Sequence, residues 1–350
     1  MEFYVLNSEK ETLGVLDVFQ SAIWTPRYYD VGDFEIQVTA SSDIVELLRE
    51  ENLLVRQDDD MVGVIERINL RTDPDYGSFL LISGRDAKSI LERRIVWNQT
   101  NLSGTVENCI RRLITENVVS PSDPNRKIPN FILGDLKGFT ERMEMQVTGD
   151  NLLEVITKIC QTYGYGFSIR ISGGNFVFDL YKGEDRSFDQ SVNPRVRFSP
   201  EFDNVITVEY ESDRSNVKNV ALVAGEGEGS DRKTVSVGSG SGLTRREMYV
   251  DARDVSTNNG EISASTYNAM LSERGAEKLT EFGVITSFFG QIEPAVNYTY
   301  KEDYFLGDIV QIENEYGVSS AQRITEMIEC EDENGYSLTP TFDNVSNGGI

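Results

Sequence analysis

Two stretches decide the fold: "LLVRQDDDMVGVIERINLRTDPDYGSFLLIS", Leu53 to Ser83, and "YFLGDIVQIENEYGVSSAQRITEMIECEDENGYSLTPTF", Tyr304 to Phe342. Each passes from an apolar run through an acidic turn to an Ile-rich run, then through an Asp/Asn/Gly turn to alternating apolar residues. Alternation with a period of two marks a half-buried strand, and turn residues of this kind stop one. Each stretch therefore reads as a three-stranded antiparallel meander. The strands are Leu53–Gln57, Val62–Arg71 and Ser78–Ser83 in the first, and Ile309–Ile312, Arg323–Cys330 and Tyr336–Phe342 in the second. Pro340 lacks a backbone donor and is expected on a sheet edge. Two copies of one β-module are the sharper reading; two unrelated meanders that share a common pattern are the plainer one.

The flanking sequence extends both modules. "DFEIQV" alternates Phe34, Ile36 and Val38 against polar residues, and "DIVELLREEN" reads as a short helix capped by Asp43. Between the modules the period changes to helical. Val106, Ile110, Leu113 and Ile114 share one face, as do Leu152, Val155, Ile156 and Ile159, with Asn151 and Glu154 at capping-box spacing. "SPSDPNRKIPN" is a proline loop, and "GFSIRISGGNFVFDLY" is a hairpin turning at "SGGN". After Pro194 come the strands "NVITVEY" and "NVALVAG", a Gly/Ser-rich stretch, "REMYVDARDVS", and a helix with Tyr267, Met270, Leu271, Leu279 and Phe282 on its apolar stripe. The expected organisation is β-rich α+β: a first β-module over 1–97, a small α/β spacer over 98–193, and a second β-module over 194–350. The last carries an inserted Gly-rich loop and a helix at about 262–283.

Composition narrows the function. The 350 residues include 39% hydrophobic and 10% aromatic side chains, enough for real cores, so two or three folded domains are expected. No apolar run approaches the roughly 18 residues of a membrane span, and "MEFYVLNSEKETLG" lacks a basic signal-peptide start, so a soluble chain is expected. The 58 acidic against 33 basic residues leave a formal charge of −25, which repels a phosphate backbone and argues against nucleic-acid binding. There is no histidine, which removes Ser–His and Cys–His nucleophile pairs and His-ligated metals. Cys109, Cys160 and Cys330 are far apart and form no CxxC pair; the first two are expected as small buried hydrophobes.

No candidate site reaches the grade of an enzyme. "GEGEGS" and "GSGSG" invite a phosphate-loop reading, but glutamates interrupt the first cluster and no helix directly follows either, so a flexible surface loop is favoured. Glu247, Asp251 and Asp254 lie beside Arg245, Arg246 and Arg253, which favours a structural ion-pair cluster over a calcium loop or an acid/base pair. Asp58, Asp59 and Asp60, like "ECEDEN", fall at turns, where charge is ordinarily solvated. "WTPRYYD", Trp24 to Asp30, suits a sugar platform, a barrel mouth or a subunit contact equally well. No catalytic, cofactor-binding or metal-ligating residue is assigned.

Four stretches taken in order carry a resemblance: "LGVLDVFQSAIWTPRYYDVGDFEIQV", "LLISGRDAKSILERRIVW", "LVAGEGEG…REMYVDARD" and "FLGDIVQIENE…RITEMIECED…YSLTPTF". Together they resemble the siphovirus tail-hub family of phages and prophages of Gram-positive bacteria, similar in plan to the baseplate hub of contractile tails. The resemblance implies tail-tube-like antiparallel β-barrels for the two modules and a homotrimer that presents six similar modules to a sixfold tube or distal-tail ring. It implies a structural, non-enzymatic role at the distal end of the virion tail, and an acidic channel through which DNA passes without binding. Candidate lumen or interface acids are Asp58, Asp59, Asp60, Glu313, Glu315, Asp251 and Asp254. Implied partners are the distal tail protein, the tape measure and receptor-binding or fibre proteins. Family members often carry a C-terminal cell-wall extension, and here that activity is expected to be absent or borne by another protein. Carbohydrate binding through the aromatic clusters, or carboxylate-based glycoside hydrolysis, stays open as the alternative.

Overall fold

The computed structural model describes residues 1–73, 77–207, 209–289, 292–293 and 296–345. Its first seven strands are β1 (Phe3–Leu6), β2 (Thr12–Leu16), β3 (Ser21–Thr25), β4 (Asp33–Thr39), β5 (Leu53–Val55), β6 (Val62–Asp73) and β7 (Gly77–Asp86). They run in the spatial order β3-β4-β7-β6-β5-β1-β2, every pairing antiparallel. All seven send side chains into one core, among them Phe3, Leu16, Trp24, Phe34, Leu54, Ile65 and Leu80, so the sheet curls around a single interior. The helix α1 (Ser42–Leu47) starts two residues earlier than an Asp43 cap would place it, because Ser41 caps it by accepting from the Ile44 amide at 3.3 Å.

The chain then leaves the sheet. The spacer holds β8 (Thr100–Thr105), α2 (Val106–Ile114), β9 (Phe131–Leu133), β10 (Arg142–Val147), α3 (Leu152–Tyr163), β11 (Gly166–Ser172) and β12 (Asn175–Tyr181). Asn151 caps α3 as its spacing predicts, and Gly164 ends it in the left-handed region at φ 68°. The "SGGN" turn puts Gly173 and Gly174 at φ 56° and 75°, which closes β11 on β12 with a tight, primed-type turn. Cys109 and Cys160 lie buried in the spacer's core, and burial lifts the Cys109 thiol to about 11.

The second module begins with β13 (Arg197–Phe198) and β14 (Glu209–Asp213), and its sheet resumes only after an insert. The insert is larger than the expected loop and helix. It comprises β15 (Val220–Ala224), β16 (Thr234–Gly238), β17 (Glu247–Asp251) and α4 (Ala264–Thr280), with a core of its own around Val223, Val250, Tyr267 and Leu271. "GEGEGS" is the turn between β15 and β16, pinned by hydrogen bonds from Gly225 to Lys233 and from Lys233 to Glu226. Then follow β18 (Ile285–Phe289), β19 (Ile309–Glu313), β20 (Ser319–Asp332) and β21 (Gly335–Asn344), around a core that includes Phe198, Phe288, Ile324 and Phe342. Pro340 faces Met327 on β20, and β21 lies between β18 and β20, so the proline sits inside the sheet order instead of on its edge.

The two meanders match in register. Leu53 faces Val64 as Ile309 faces Arg323, and one residue after the next position each middle strand carries a bulge, at Glu66 and at Thr325. Beyond the bulge Arg67 faces Ser83 and Glu326 faces Thr341. The match extends to five strands. Gly84 faces Phe34 on β4 and Phe342 faces Phe288 on β18; Phe34 in turn faces Trp24 on β3, and Phe288 faces Tyr210 on β14. A bulge is a placed irregularity, so the same bulge in the same register is evidence of duplication that a shared strand count would not give. Outside the five strands the halves differ: β5 borders β1 antiparallel, whereas β19 borders β13 parallel.

The modules join where Ser21–Trp24 of β3 pairs antiparallel with Glu329–Asp332 of β20, making one 13-stranded sheet whose path among the described residues runs open from β14 to β2. No helix among the described residues is long and apolar enough to cross a membrane.

The insert docks on the spacer through two carboxylates of α4. Glu273 accepts from the Tyr163 hydroxyl at 2.7 Å, and Glu277 lies 3.7 Å from the Lys158 ammonium. Burial raises both carboxyls above their ordinary 4.5, more than their partners lower them. A raised carboxyl contributes stability that is present below the unfolded value and lost as pH rises through the folded one. The contribution of these two carboxyls to stability should therefore fall as pH rises from 4.5. In a Glu273→Gln/Glu277→Gln variant that slope should flatten, so its melting temperature relative to the parent should be higher at pH 7.5 than at pH 5.

Candidate functional site: the junction of the modules

Asp58, Asp59 and Asp60 lie at a cavity of about 790 Å³ where the first module, the spacer and the second module converge. Its walls are charged, and most of those charges are matched within the chain. From the β5–β6 turn, Asp59 accepts from the Lys301 ammonium at 2.8 Å and Asp58 lies 3.7 Å from it. Lys301 also reaches Glu329 on β20 at 3.4 Å, and Glu329 is paired with Arg56 at 3.0 Å and accepts from the Tyr336 hydroxyl at 3.1 Å. Burial pushes the Asp58 carboxyl up, but the Arg56 guanidinium and Lys301 outweigh it and hold it below the ordinary carboxylate range. These turn carboxylates are thus not simply solvated. Two of the three tie the first module to the second.

On the opposite wall Arg186 pairs with buried Asp308 at 2.7 Å, and Asp308 also accepts from the amides of Glu184 and Phe305. Lys88 donates to the carbonyls of Arg27 and Asp30 at 2.6 Å, while Asp86 accepts from the amides of Gly32 and Lys88. Every wall thus carries a charge matched by its neighbour, an arrangement that holds domains together.

Behind the cavity wall, next to Pro26 and Arg27, Tyr28 is fully buried where the three parts meet. It projects from the β3–β4 connection of the first module. Its hydroxyl donates to the Gly164 carbonyl at 3.0 Å and accepts from the Gly183 amide at 3.2 Å, both in the spacer. Its backbone amide donates to Thr325 of β20 at 2.8 Å, and the Arg323 guanidinium lies 5.2 Å from its ring centre. The ring needs glycines around it: a Cβ on Gly166 would come within 2.3 Å of it, and one on Gly307 within 2.2 Å. Arg323 completes the contact by donating to the Gly307 carbonyl at 2.6 Å. The "WTPRYYD" aromatics are therefore interior: Trp24 lies in the first module's core and Tyr28 in the junction, and neither offers a face to a sugar.

The candidate acids do not converge. Asp58, Asp59 and Asp60 line the junction; Glu313 pairs with Arg197 at 2.8 Å at the end of the β19–β20 hairpin, with Glu315 exposed in its turn. Asp251 is held by Arg232 and Arg253, and Asp254 by Arg274, all on the insert. Of the local arginines around "EMYVDARD", Arg245 pairs with Glu247 and Arg253 with Asp251, while the partner of Asp254 comes from α4. Among the described residues no group of three or more carboxylates and thiols is placed to hold a metal ion.

A family model described as siphovirus ReqiPepy6 Gp37-like protein matches residues 2–343. The chain belongs to that family. Solved structures of tail proteins share the fold of this Gp37-like chain at low identity. A tail protein from Neisseria meningitidis MC58 is 12% identical, with a TM-score of 0.61 over 98% of this chain and 97% of that one. The 43 kDa tail protein of prophage MuSo2 from Shewanella oneidensis is 13% identical, with a TM-score of 0.61 over 98% of each chain. Prophage tail protein gp18 from Listeria monocytogenes EGD-e is 14% identical, with a TM-score of 0.59 over 99% and 95%. A search of the curated proteins finds no match. The Gp37-like chain thus has the β-rich fold of phage and prophage tail proteins.

Removing the Tyr28 ring from this junction leaves a cavity and two unpaired backbone groups. Tyr28→Ala should cost about 3–5 kcal/mol in chemical denaturation, and Tyr28→Phe, which keeps the ring, about 1 kcal/mol. Equal costs for the two would show that the hydroxyl, not the wedge, holds the modules.

Proposed function

We propose that this Gp37-like chain is the hub of a phage tail tip: a homotrimeric ring at the distal end of the tail tube that presents six similar modules to a sixfold partner. The five-strand repeat, matched in register down to its bulges, carries this reading. A ring needs equivalent patches at each position, and a chain that holds two equivalent modules supplies six from three copies. Each curled sheet, wrapped on its own core, serves as a tube-like barrel module of that ring. Fold and family support a tail protein, and the partners of the hub are the distal tail protein, the tape measure and the receptor-binding or fibre proteins.

The net charge of −25 fits the same role. A wall that repels phosphate lets DNA slide, because contacts with Lys and Arg are what retain it. Of the seven candidate acids, Asp60 and Glu315 are exposed without an ion pair among the described residues and are the strongest contributors to such a field. The other five are neutralised in whole or part by neighbouring basic groups.

Light scattering coupled to size exclusion tests the assembly: the expected mass is three times that of the chain, alone or with its distal-tail partner, and a chain that stays monomeric with and without that partner removes the hub reading. A structural role also carries no hydrolysis. Peptidoglycan and teichoic-acid substrates should show no turnover, whereas turnover abolished by Asp251→Asn would make the chain an enzyme.

A further inference from the structure

The joint between the modules inside one chain can be carried, by the register of the repeat, onto the unpaired strand edges of the other halves. Within the chain, β3 pairs with the far half of β20: Trp24 faces Glu329, Ile23 faces Cys330, and Arg27 bridges Glu326 with an ion pair between their side chains. By the register of the repeat, the same positions in the other halves are the far half of β6 and the strand β14. There Leu70 stands for Glu329, Arg71 for Cys330 and Arg67 for Glu326. Tyr210 stands for Trp24, Glu209 for Ile23 and Asp213 for Arg27. Both of these edges are open. Beyond its bulge β6 pairs only with β7, and β14 pairs only with β18 among the described residues.

We propose that β14 of one copy pairs antiparallel with the far half of β6 of the next, with Leu70 opposite Tyr210, Arg71 opposite Glu209 and Arg67 opposite Asp213. This deepens the trimer reading and rests on it. Three observations select a second copy of this chain as the occupant. First, the intrachain joint is a physical template: the same strand positions already pair this way once. Second, burial differs as a missing neighbour requires. Trp24 and Glu329 are 0% and 2% exposed in the closed joint, whereas their counterparts Tyr210 and Leu70 are 40% and 53% exposed. Third, the charges complement each other. The Arg27–Glu326 pair recurs with its signs exchanged as Asp213 and Arg67, and Glu209 adds a second opposite pair with Arg71. Arg67 and Arg71 make no ion pair among the described residues, in a chain where basic residues are outnumbered. A sheet edge left open is a template for pairing with another chain, and opposite charges directly across a ladder favour one register.

Hydrogen bonding fixes which pair to test. In the intrachain joint Met327 donates to the Pro26 carbonyl and Tyr28 to the Thr325 carbonyl, which makes Arg27 and Glu326 a non-hydrogen-bonded pair. Such pairs alternate along a ladder, so Ile23 with Cys330, and hence Arg71 with Glu209, is another. Their Cα atoms lie about 4.5 Å apart, within disulfide range.

An Arg71→Cys/Glu209→Cys chain, oxidised at a concentration where light scattering shows a trimer, should give a non-reducing ladder that ends at three copies. Neither single-cysteine variant should form it. Arg71→Cys/Glu211→Cys, two residues out of register, should cross-link at least tenfold less. In an independent measurement Arg67→Asp should lower the trimer fraction, and Asp213→Arg added to the same chain should restore it. A trimer that never cross-links through the Arg71/Glu209 pair, or that cross-links equally through the shifted pair, overturns this joint and leaves the hub reading intact. A parent chain that is monomeric under all these conditions overturns both.

Discussion

The structure depends on one ring. Tyr28 leaves the first module in a connection of seven residues and is held by the spacer through Gly164 and Gly183 and by the second module through Thr325, Gly307 and Arg323. A hydroxyl, an amide and an aromatic face thus address three parts of the chain from one residue. The absence of side chains at Gly166 and Gly307 is what lets them approach. Gly307, at φ 95°, is fixed twice, by its backbone as well as by the ring. Around this wedge the charged groups are secondary but directional: Lys301 bridges Asp59 and Glu329, and removing one member would strand the others out of water.

With the modules locked by Tyr28, the β3–β20 pairing becomes part of a continuous sheet, and the two halves acquire a fixed relation to each other. That relation gives the repeat its mechanical meaning. Two β-modules on a flexible linker would have no defined geometry, whereas two modules that share a sheet and a central wedge behave as one body with two similar faces. The halves have diverged in sequence while keeping the bulges at Glu66 and Thr325. Backbone irregularity, more than side-chain identity, is the conserved quantity between them.

Both meanders were legible because half-buried antiparallel strands write their alternation directly into the chain, and their turns carry acidic and glycine residues. α3 and its Asn151 cap were legible for similar local reasons. The fifth pair of matching strands was not: β14 and β18 are separated by the whole insert, while their counterparts β3 and β4 are neighbours. β16, "TVSVG", was hidden by the glycines and serines around it. The insert therefore read as a loop and a helix instead of a small sheet with a helix packed so closely that a Cβ on Gly275 would come within 2.7 Å of Val223. The junction was the least visible part. Asp59 and Lys301 lie far apart in sequence, and so do Tyr28 and the glycines that receive it; no local pattern marks a residue whose partners are supplied by the fold. Near Asp251 the local pattern was legible only in part: Glu247 and Asp251 pair with the neighbouring Arg245 and Arg253, whereas Asp254 pairs with Arg274 on α4.

The β3–β20 ladder has a consequence for synthesis. Ser21 pairs with Asp332, so β3 finds its neighbour only after about 300 further residues have been made. At roughly 5–20 residues per second, the β3 edge spends on the order of 15–60 s on the ribosome without its partner. Open edges of this kind invite foreign strands. Here the spacer emerges in the interval, with Gly164 and Gly183 ready to receive Tyr28 before β20 exists. The wedge that later locks three parts together is thus available earlier as a holding contact for two. The order of the domains along the chain lets the first module wait, partly docked, for β20 to arrive.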